Sequence, residues 1–495
     1  MRRLLPLIVV LAAVVPAVSF AQGSTSATLP PIKHVFVIVL ENESESTSFG
    51  PTSPAPYLAQ TLPAIGEYLP NYYGVGHHSL DNYIAMISGQ GPNPSTEADC
   101  GTFSDFVPGT AGPNGQAVGT GCVYPSSVAT IAGQLSGVGD TWKAYEQDMG
   151  NTPARESATC GHPNVGSVDG TEGATAADQY ATRHDPFVYF HSIIDSTACQ
   201  QDVVNFTQLA SDLKSVSSTP NYSFITPNLC NDGHDAPCAN GQPGGLVSAG
   251  QFLASAVPEI LASPAYRKNG LLIVTFDESG SGDESCCGEP ADTMASNGGN
   301  SPNPGGGAPG DGGGLVGAVL VSPYIKGGTT TQTSYNHYSM LASIEDLFGL
   351  QHLGFAGVAG LPTFDSGIFN LKKPALSSAV RLGLGAWSDT GSSTAGCMPA
   401  AAPSGGKQAS GTFIYSAALS ASGGTETLSL TLHAAGKVAV SVKLHGKRHA
   451  VAELPLQGSP CNAYQLVLPH GAGAATVRVS GGGAFEQKAL PAAHG

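Results

Sequence analysis

Three apolar runs, far apart in the chain, each stop abruptly on polar side chains. Ile32-Lys33-His34-Val35-Phe36-Val37-Ile38-Val39-Leu40 ends at Glu41-Asn42, and Leu271-Leu272-Ile273-Val274-Thr275-Phe276 ends at Asp277-Glu278. Tyr222-Ser223-Phe224-Ile225-Thr226-Pro227-Asn228 leads into Asn231-Asp232-Gly233-His234-Asp235. Runs of this length, bounded by turn residues, predict strands buried on both faces, as in a parallel sheet. Leu315 to Val321 is a fourth such run, and Gln251 to Ser263 and Ser339 to Phe348 read as helices. Strands alternating with helices give an α/β fold. Ligands bind outside the carboxyl ends of such strands, so the three polar termini are expected to converge on one site.

Composition narrows the function. The chain of 495 residues carries 65 Gly and 36 Pro but only 11% charged residues, a globular protein rich in loops. The formal net charge is −16, with no Lys/Arg cluster beyond the N-terminus, so the basic footprint of a nucleic-acid binder is missing. A small phosphate site stays open, because a bound cation and a few histidines reverse the field locally. Met1-Arg2-Arg3 and the apolar stretch from Leu4 to Phe20 predict a signal peptide, residues 1–21, cut after Ala21. A membrane anchor is the alternative, for which the run is short. No later segment reads as transmembrane, so the mature protein is expected to be secreted or periplasmic. Ten cysteines fit an oxidising compartment. Pairing sequence neighbours suggests Cys100 with Cys122, Cys160 with Cys199, Cys230 with Cys238, Cys286 with Cys287 and Cys397 with Cys461, although spacing does not fix connectivity. A zinc–thiolate site lacks the expected Cys-x-x-Cys spacing.

Residues 90–140 and 279–314 read as long loops, and 376–410, rich in Gly, Ser, Ala and Pro, as a linker. Beyond 411, period-two stretches such as Leu428 to His433 and Val438 to Leu444 predict a small antiparallel β domain, 411–495, with the pattern of a sandwich. The catalytic region is then 30–375.

The strongest local signal is Gly76-His77-His78-Ser79-Leu80-Asp81-Asn82-Tyr83. A serine entering a helix sits among free amides that favour an anion. Ser79 is therefore either an activated nucleophile or the helix cap. Asn82, one turn on, is placed to donate to a phosphate oxygen, and His78 and Asp235 are further candidate substrate contacts. Glu41, Asn42, Asp277 and Glu278 are hard-oxygen donors suited to a divalent metal ion of unassigned identity, or else turn formers and caps. Glu43 and Glu45 read as solvated charges. His184, His234 and His337 are the acid/base candidates, since imidazole titrates where leaving-group protonation is needed.

Six segments occur in an order that resembles the phosphoesterase family of bacterial phospholipases C and secreted acid phosphatases, within the alkaline-phosphatase-like superfamily. They are Lys33 to Asn42, His78 to Tyr83, Arg183-His184-Asp185-Pro186-Phe187, Asn231 to Asp235, Thr275 to Glu278, and Tyr338-Ser339 leading to Ile344-Glu345-Asp346. The resemblance implies an alkaline-phosphatase-like three-layer αβα sandwich, with the small C-terminal antiparallel β domain appended. It implies that Ser79 holds the nucleophile position, that Asn82 contacts phosphate, and that Glu41, Asn42, Asp277 and Glu278 hold the metal. His184 and His234 match histidines on the phosphate and leaving-group side, with His337 a less close match. The chain departs from the phospholipase pattern at Asn42-Glu43-Ser44-Glu45-Ser46, where Asn-Arg-Ser-Phe-Asp is common, and at Asp81, where Pro is common. These features are closer to the short secreted acid phosphatases, some of which act on phosphoinositides. The expected activity is a metal-dependent phosphomonoesterase with a phosphoseryl intermediate. The alternatives are a phospholipase C cleaving phospholipid diesters and a non-catalytic secreted binding protein.

Overall fold

The computed structural model describes residues 29–280, 282–283, 285, 312–370, 387–393, 397, 414–422, 425–432, 436–444, 451–458, 461–468, 474–481 and 484–491. The expected signal peptide, Cys286 and Cys287, and most of the 279–314 loop lie outside the described residues.

The predicted runs form the middle of an eight-stranded sheet. In chain order its strands are β1 (His34–Leu40), β2 (Glu67–Leu69), β3 (Trp142–Glu146), β4 (Val203–Asn205), β5 (Tyr222–Thr226), β6 (Gly270–Phe276), β7 (Ala318–Val321) and β8 (Thr329–Thr330). Their spatial order is β8-β2-β7-β6-β1-β5-β3-β4. β6, β1, β5, β3 and β4 run parallel, whereas β7 is antiparallel to both its neighbours. Every residue of β1, β5 and β6 is buried, which requires cover on both faces of the sheet and gives the three-layer αβα sandwich.

The long helices are α1 (Ser79–Ser88), α2 (Gly245–Ala262) and α3 (His337–Phe348). α1 and α3 pack on each other. Gly89, at φ 67°, ends α1 in the left-handed conformation, and a Cβ there would lie 2.1 Å from the Leu353 carbonyl oxygen. α2 corrects one expectation, because by length and composition it is apolar enough to cross a membrane. Its Leu246, Phe252, Leu253, Val257, Ile260 and Leu261 are instead buried in the core, so its apolarity serves packing.

The stretch expected to be a linker carries a strand, Trp387–Ser393, which pairs with Asn462–Leu468. Eight C-terminal strands form two four-stranded antiparallel sheets. The backbone N–H of Ile414 in one donates to Glu486 Oε2 in the other at 2.9 Å. Leu428, Leu430, Leu432, Val440, Val442, Leu466, Val477 and Val479 are buried at every second position, the inner faces of a sandwich. Disulfides join Cys100 to Cys122, Cys160 to Cys199, Cys230 to Cys238 and Cys397 to Cys461.

Glu345 on α3 is wholly buried, accepts a hydrogen bond from Leu353 N–H at 3.0 Å, and is pushed by burial up to about 9 from its ordinary 4.5. Between those values the folded chain holds a proton that the unfolded chain has lost, so this residue lowers stability as pH rises. Glu345→Gln should therefore gain roughly 2–5 °C in Tm at pH 8 relative to any gain at pH 5. An unchanged difference between the two pH values in a thermal melt contradicts the assignment.

Candidate active site

Strand register builds the site. β1 and β6 pair in parallel with Leu40 opposite Phe276, so Glu41 and Asp277 emerge side by side. Asp277 N–H donates to the Leu40 carbonyl at 2.9 Å, and Glu41 N–H to the Asp232 carbonyl at 2.9 Å, which brings in the segment after β5. The three polar strand ends converge as expected. Asn42 sits at φ 54°, a left-handed conformation that asparagine tolerates, and its N–H donates to Asp277 Oδ1 at 3.0 Å. Asp277 Oδ1 also accepts from Glu278 N–H at 2.6 Å.

Ser79 opens α1, and its buried hydroxyl donates to Glu41 Oε2 at 2.8 Å. The N-cap is His78, so Ser79 is not the helix cap. The hydroxyl is directed away from its own helix, at a carboxylate on another strand.

Around it lie buried carboxylate oxygens with no hydrogen-bond partner among the described residues: Glu41 Oε1, Asp277 Oδ2 and Glu278 Oε2. Burial, then the adjacent Asp277, pushes Glu41 well above the usual carboxylate range. Burial raises Asp277 to about 7, and burial followed by Asp277, Asp81 and Glu41 raises Glu278 strongly. Such groups crowded together are costly unless a cation neutralises them. Clustered hard oxygens with unused lone pairs fit a divalent ion, and Glu41, Asn42, Asp277 and Glu278 are the residues placed to hold one. A second group, Cys160, His162 and Cys199, brings its possible ligand atoms within 4.8 Å, but the two sulfurs are joined in a disulfide and are not thiolates.

His184 is buried and stacked on Tyr83, with ring centroids 5.3 Å apart. Its Nε2 is 3.3 Å from Glu41 Oε1, and its Nδ1 is 4.0 Å from Asp232 Oδ2. Burial, then the charge of Arg183, holds His184 well below its ordinary pKa, while burial raises Glu41. Both groups are driven toward neutrality, so the contact is not an ion pair of full charges. His234 stands at the mouth, half exposed, with Nδ1 3.8 Å from Asp235 Oδ1.

Three expected roles are revised by position. Asn82 spends its amide on the protein: Oδ1 accepts from Val75 and Gly76 N–H at 2.7 and 3.2 Å, and Nδ2 donates to the Gly76 and His78 carbonyls at 2.9 and 2.8 Å. It shapes the loop before Ser79 and has no donor left for phosphate. His337 is buried with both ring nitrogens engaged, Nε2 by the Asp277 carbonyl at 2.5 Å and Nδ1 by Tyr72 OH at 3.1 Å. Burial lowers it to about 4, so it braces Asp277 as a neutral ring and is not an acid/base group. His78 is exposed and offers its carbonyl to Asn82, and among the described residues its side chain makes no hydrogen bond or ion pair into the site. Glu43 and Glu45 are half-buried, Glu45 accepting from Tyr68 OH, and are not simply solvated.

Two residues were missed. Asp232 is fully buried, with Oδ1 accepting from His234 N–H at 3.0 Å and Oδ2 unpartnered, facing His184. Arg183 bears electrostatically on both Glu41 and Asp232. Each lies inside a quoted motif, but only the fold reveals which way it faces. A cavity of about 310 Å³, lined by Ser88, Gln90, Gln116 and His352, lies toward the far end of α1, about 15 Å of helix away from Ser79.

Asn82→Ala should cost about 2–5 kcal/mol, because four backbone groups lose partners. Unchanged denaturant stability with impaired phosphate binding would restore the phosphate-contact role.

The chain is 28% identical over 310 residues to the phosphate-repressible acid phosphatase of Penicillium chrysogenum, spanning 63% of this chain and 58% of that one. It is 25% identical over 334 residues to the phosphatidylinositol-3-phosphatase of Mycobacterium tuberculosis, spanning 68% and 83%. It covers about half the length of the fungal acid phosphatases it matches, from 44% to 59%. Among solved structures, an alkaline phosphatase superfamily protein from Vibrio parahaemolyticus aligns over 92% of this chain and 82% of its own, at TM-score 0.36 and 10% identity, too remote to transfer any residue role. The Phosphoesterase family profile matches residues 67–351, more than half of the chain, and the protein belongs to that family.

Proposed function

We propose that this protein is an exported, metal-dependent phosphomonoesterase that uses Ser79 as nucleophile. One observation carries the reading: a buried serine hydroxyl at a helix N-terminus, 2.8 Å from Glu41, beside unpartnered carboxylate oxygens of Glu41, Asp277 and Glu278.

Glu41, Asn42, Asp277 and Glu278 would hold a divalent cation, which would supply positive charge against the negative charge developing on the serine and phosphoryl oxygens. Glu41, ionised once a bound cation offsets its carboxylate neighbours, accepts the Ser79 proton. The serine oxygen forms a bond to phosphorus while the bond to the leaving alcohol breaks, and His234 at the mouth protonates that alcohol. Water then gives a proton back to His234 and attacks phosphorus, the bond from phosphorus to the serine oxygen breaks to release phosphate, and Glu41 returns its proton to Ser79. His184, held between Glu41 and Asp232, orients the carboxylate that receives the first proton. Asp235, 3.8 Å from His234, steadies the imidazole.

The relatives are named as acid phosphatases and a phosphatidylinositol-3-phosphatase, which favours a monoester, phosphoinositides included, over the phospholipase C reading. Four disulfides among the described residues support export. We read the catalytic unit as 30–375 and place the start of the β unit at Trp387.

Ser79→Ala should lower kcat for p-nitrophenyl phosphate by about a thousandfold or more while the fold persists. Retained turnover would remove Ser79 from the nucleophile role.

A further inference from the structure

We propose that Asp99 is a positioning residue for the nucleophile: its carboxylate caps α1 from another part of the chain and holds the first turn, which carries Ser79; this rests on the phosphatase reading above. The contact is direct. Leu80 N–H, the amide next after Ser79, donates to Asp99 Oδ1 at 3.0 Å.

The first amides of a helix have no partner within it, and a side chain at the N-terminus ordinarily takes one of them. α1 lacks that local solution. The side chain of its N-cap, His78, makes no capping hydrogen bond, the Ser79 hydroxyl is spent on Glu41, and the Asn82 amide is spent on Val75, Gly76 and His78. All ten residues of α1 are buried, so a Leu80 N–H left without an acceptor would be costly. Asp99 supplies the acceptor, and its negative charge complements the positive end of the helix dipole.

Asp99 is itself held in place. It sits at φ 49°, a left-handed conformation that aspartate tolerates, at the end of the short turn Thr96–Ala98, and its N–H donates to the Thr96 carbonyl at 3.0 Å. Cys100 follows, joined to Cys122 by a disulfide, with its N–H on the Ser95 carbonyl at 2.9 Å. Ser95 Oγ accepts from Gly121 N–H at 2.9 Å, and Asn93 Nδ2 donates to Tyr124 OH at 3.0 Å. The disulfide-closed stretch from 93 to 124 thus fixes the carboxylate from both sides. Without it the first turn of α1 frays and the Ser79 hydroxyl swings away from Glu41. A misplacement of about 1 Å in a reacting group costs up to about a hundredfold in rate.

The test separates the cap from the charge. Asp99 bears electrostatically on Glu278, so the reference is Asp99→Asn, which removes the charge and keeps an oxygen acceptor. Asp99→Gly removes the acceptor at a φ that suits glycine, so the turn persists. In the full-length, metal-loaded protein, kcat for p-nitrophenyl phosphate should be about tenfold lower in Asp99→Gly than in Asp99→Asn, with KM in the two within about twofold. Ser263→Ala is the control. It removes a comparable cap, the Ser263 Oγ that accepts from Tyr266 N–H at 3.2 Å, from a helix (Pro264–Asn269) that leads into the end of β6 remote from Asp277. It should lower Tm about as much as Asp99→Gly and leave kcat unchanged. Equal kcat in Asp99→Gly and Asp99→Asn, or a parallel loss of kcat in Ser263→Ala, would overturn the proposal. Amide hydrogen exchange gives a second readout, because the Leu80 amide should exchange at least about tenfold faster in Asp99→Gly than in Asp99→Asn. If the wild-type protein hydrolyses no phosphate monoester, the phosphatase reading fails by itself, and equal exchange in the two variants still rejects the cap. If Asp99→Gly does not fold, Asp99→Glu, which displaces the acceptor by one methylene, replaces it in both comparisons.

Discussion

The structure turns on a juxtaposition that is unfavourable in isolation: the buried carboxylates of Glu41 and Asp277, set side by side by the parallel pairing of two central strands. No local choice of rotamer relieves it, because the register that opposes Leu40 to Phe276 also fills the core. Much of the surrounding architecture keeps these groups in place. The Asn42 and Glu278 N–H groups fix Asp277 Oδ1, His337 braces the Asp277 carbonyl, and the Ser79 hydroxyl and Asn42 amide meet Glu41 Oε2. What these contacts leave unsatisfied is one oxygen on each of three carboxylates. A rigid shell around unspent hard-oxygen donors is the arrangement expected of a cation site.

The nucleophile loop follows the same logic. Residues 75–78 approach α1 with backbone groups that cannot pair within the helix, and Asn82 reaches back to satisfy four of them. Ser79 is thereby freed from capping, and its hydroxyl is turned toward Glu41. Loop shape and nucleophile direction are one device.

The strand ends were legible in the sequence because a strand buried on both faces has a distinctive texture and an abrupt end, and Glu41, Asn42, Asp277 and Glu278 stand where that pattern put them. β3 and β4 were not picked out, since Lys143 interrupts one and the other spans only Val203–Asn205. The strand Trp387–Ser393 was hidden in a Gly/Ser-rich stretch that composition reads as linker. Within the site, residue types were legible but direction was not. Asn82 and His337 have the chemistry for phosphate or proton transfer, yet the loop just before α1 occupies the Asn82 amide and tertiary contacts occupy both ring nitrogens of His337. Asp232 had an equal claim from its motif, and only the hydrogen bond that joins its carbonyl to Glu41 N–H and the approach of its carboxylate to His184 show that it faces the site.

We read the crowded carboxylates as the holder of a cation beside Ser79. Elemental analysis of protein stripped with chelator, reloaded with a divalent ion and exhaustively dialysed at pH 7 tests it directly. About one equivalent of divalent ion is expected in the wild-type chain, and a small fraction of that in Asp277→Asn, which keeps the shape but removes a charged donor. A wild-type chain that retains no ion, or an Asp277→Asn chain that retains a full equivalent, would contradict it.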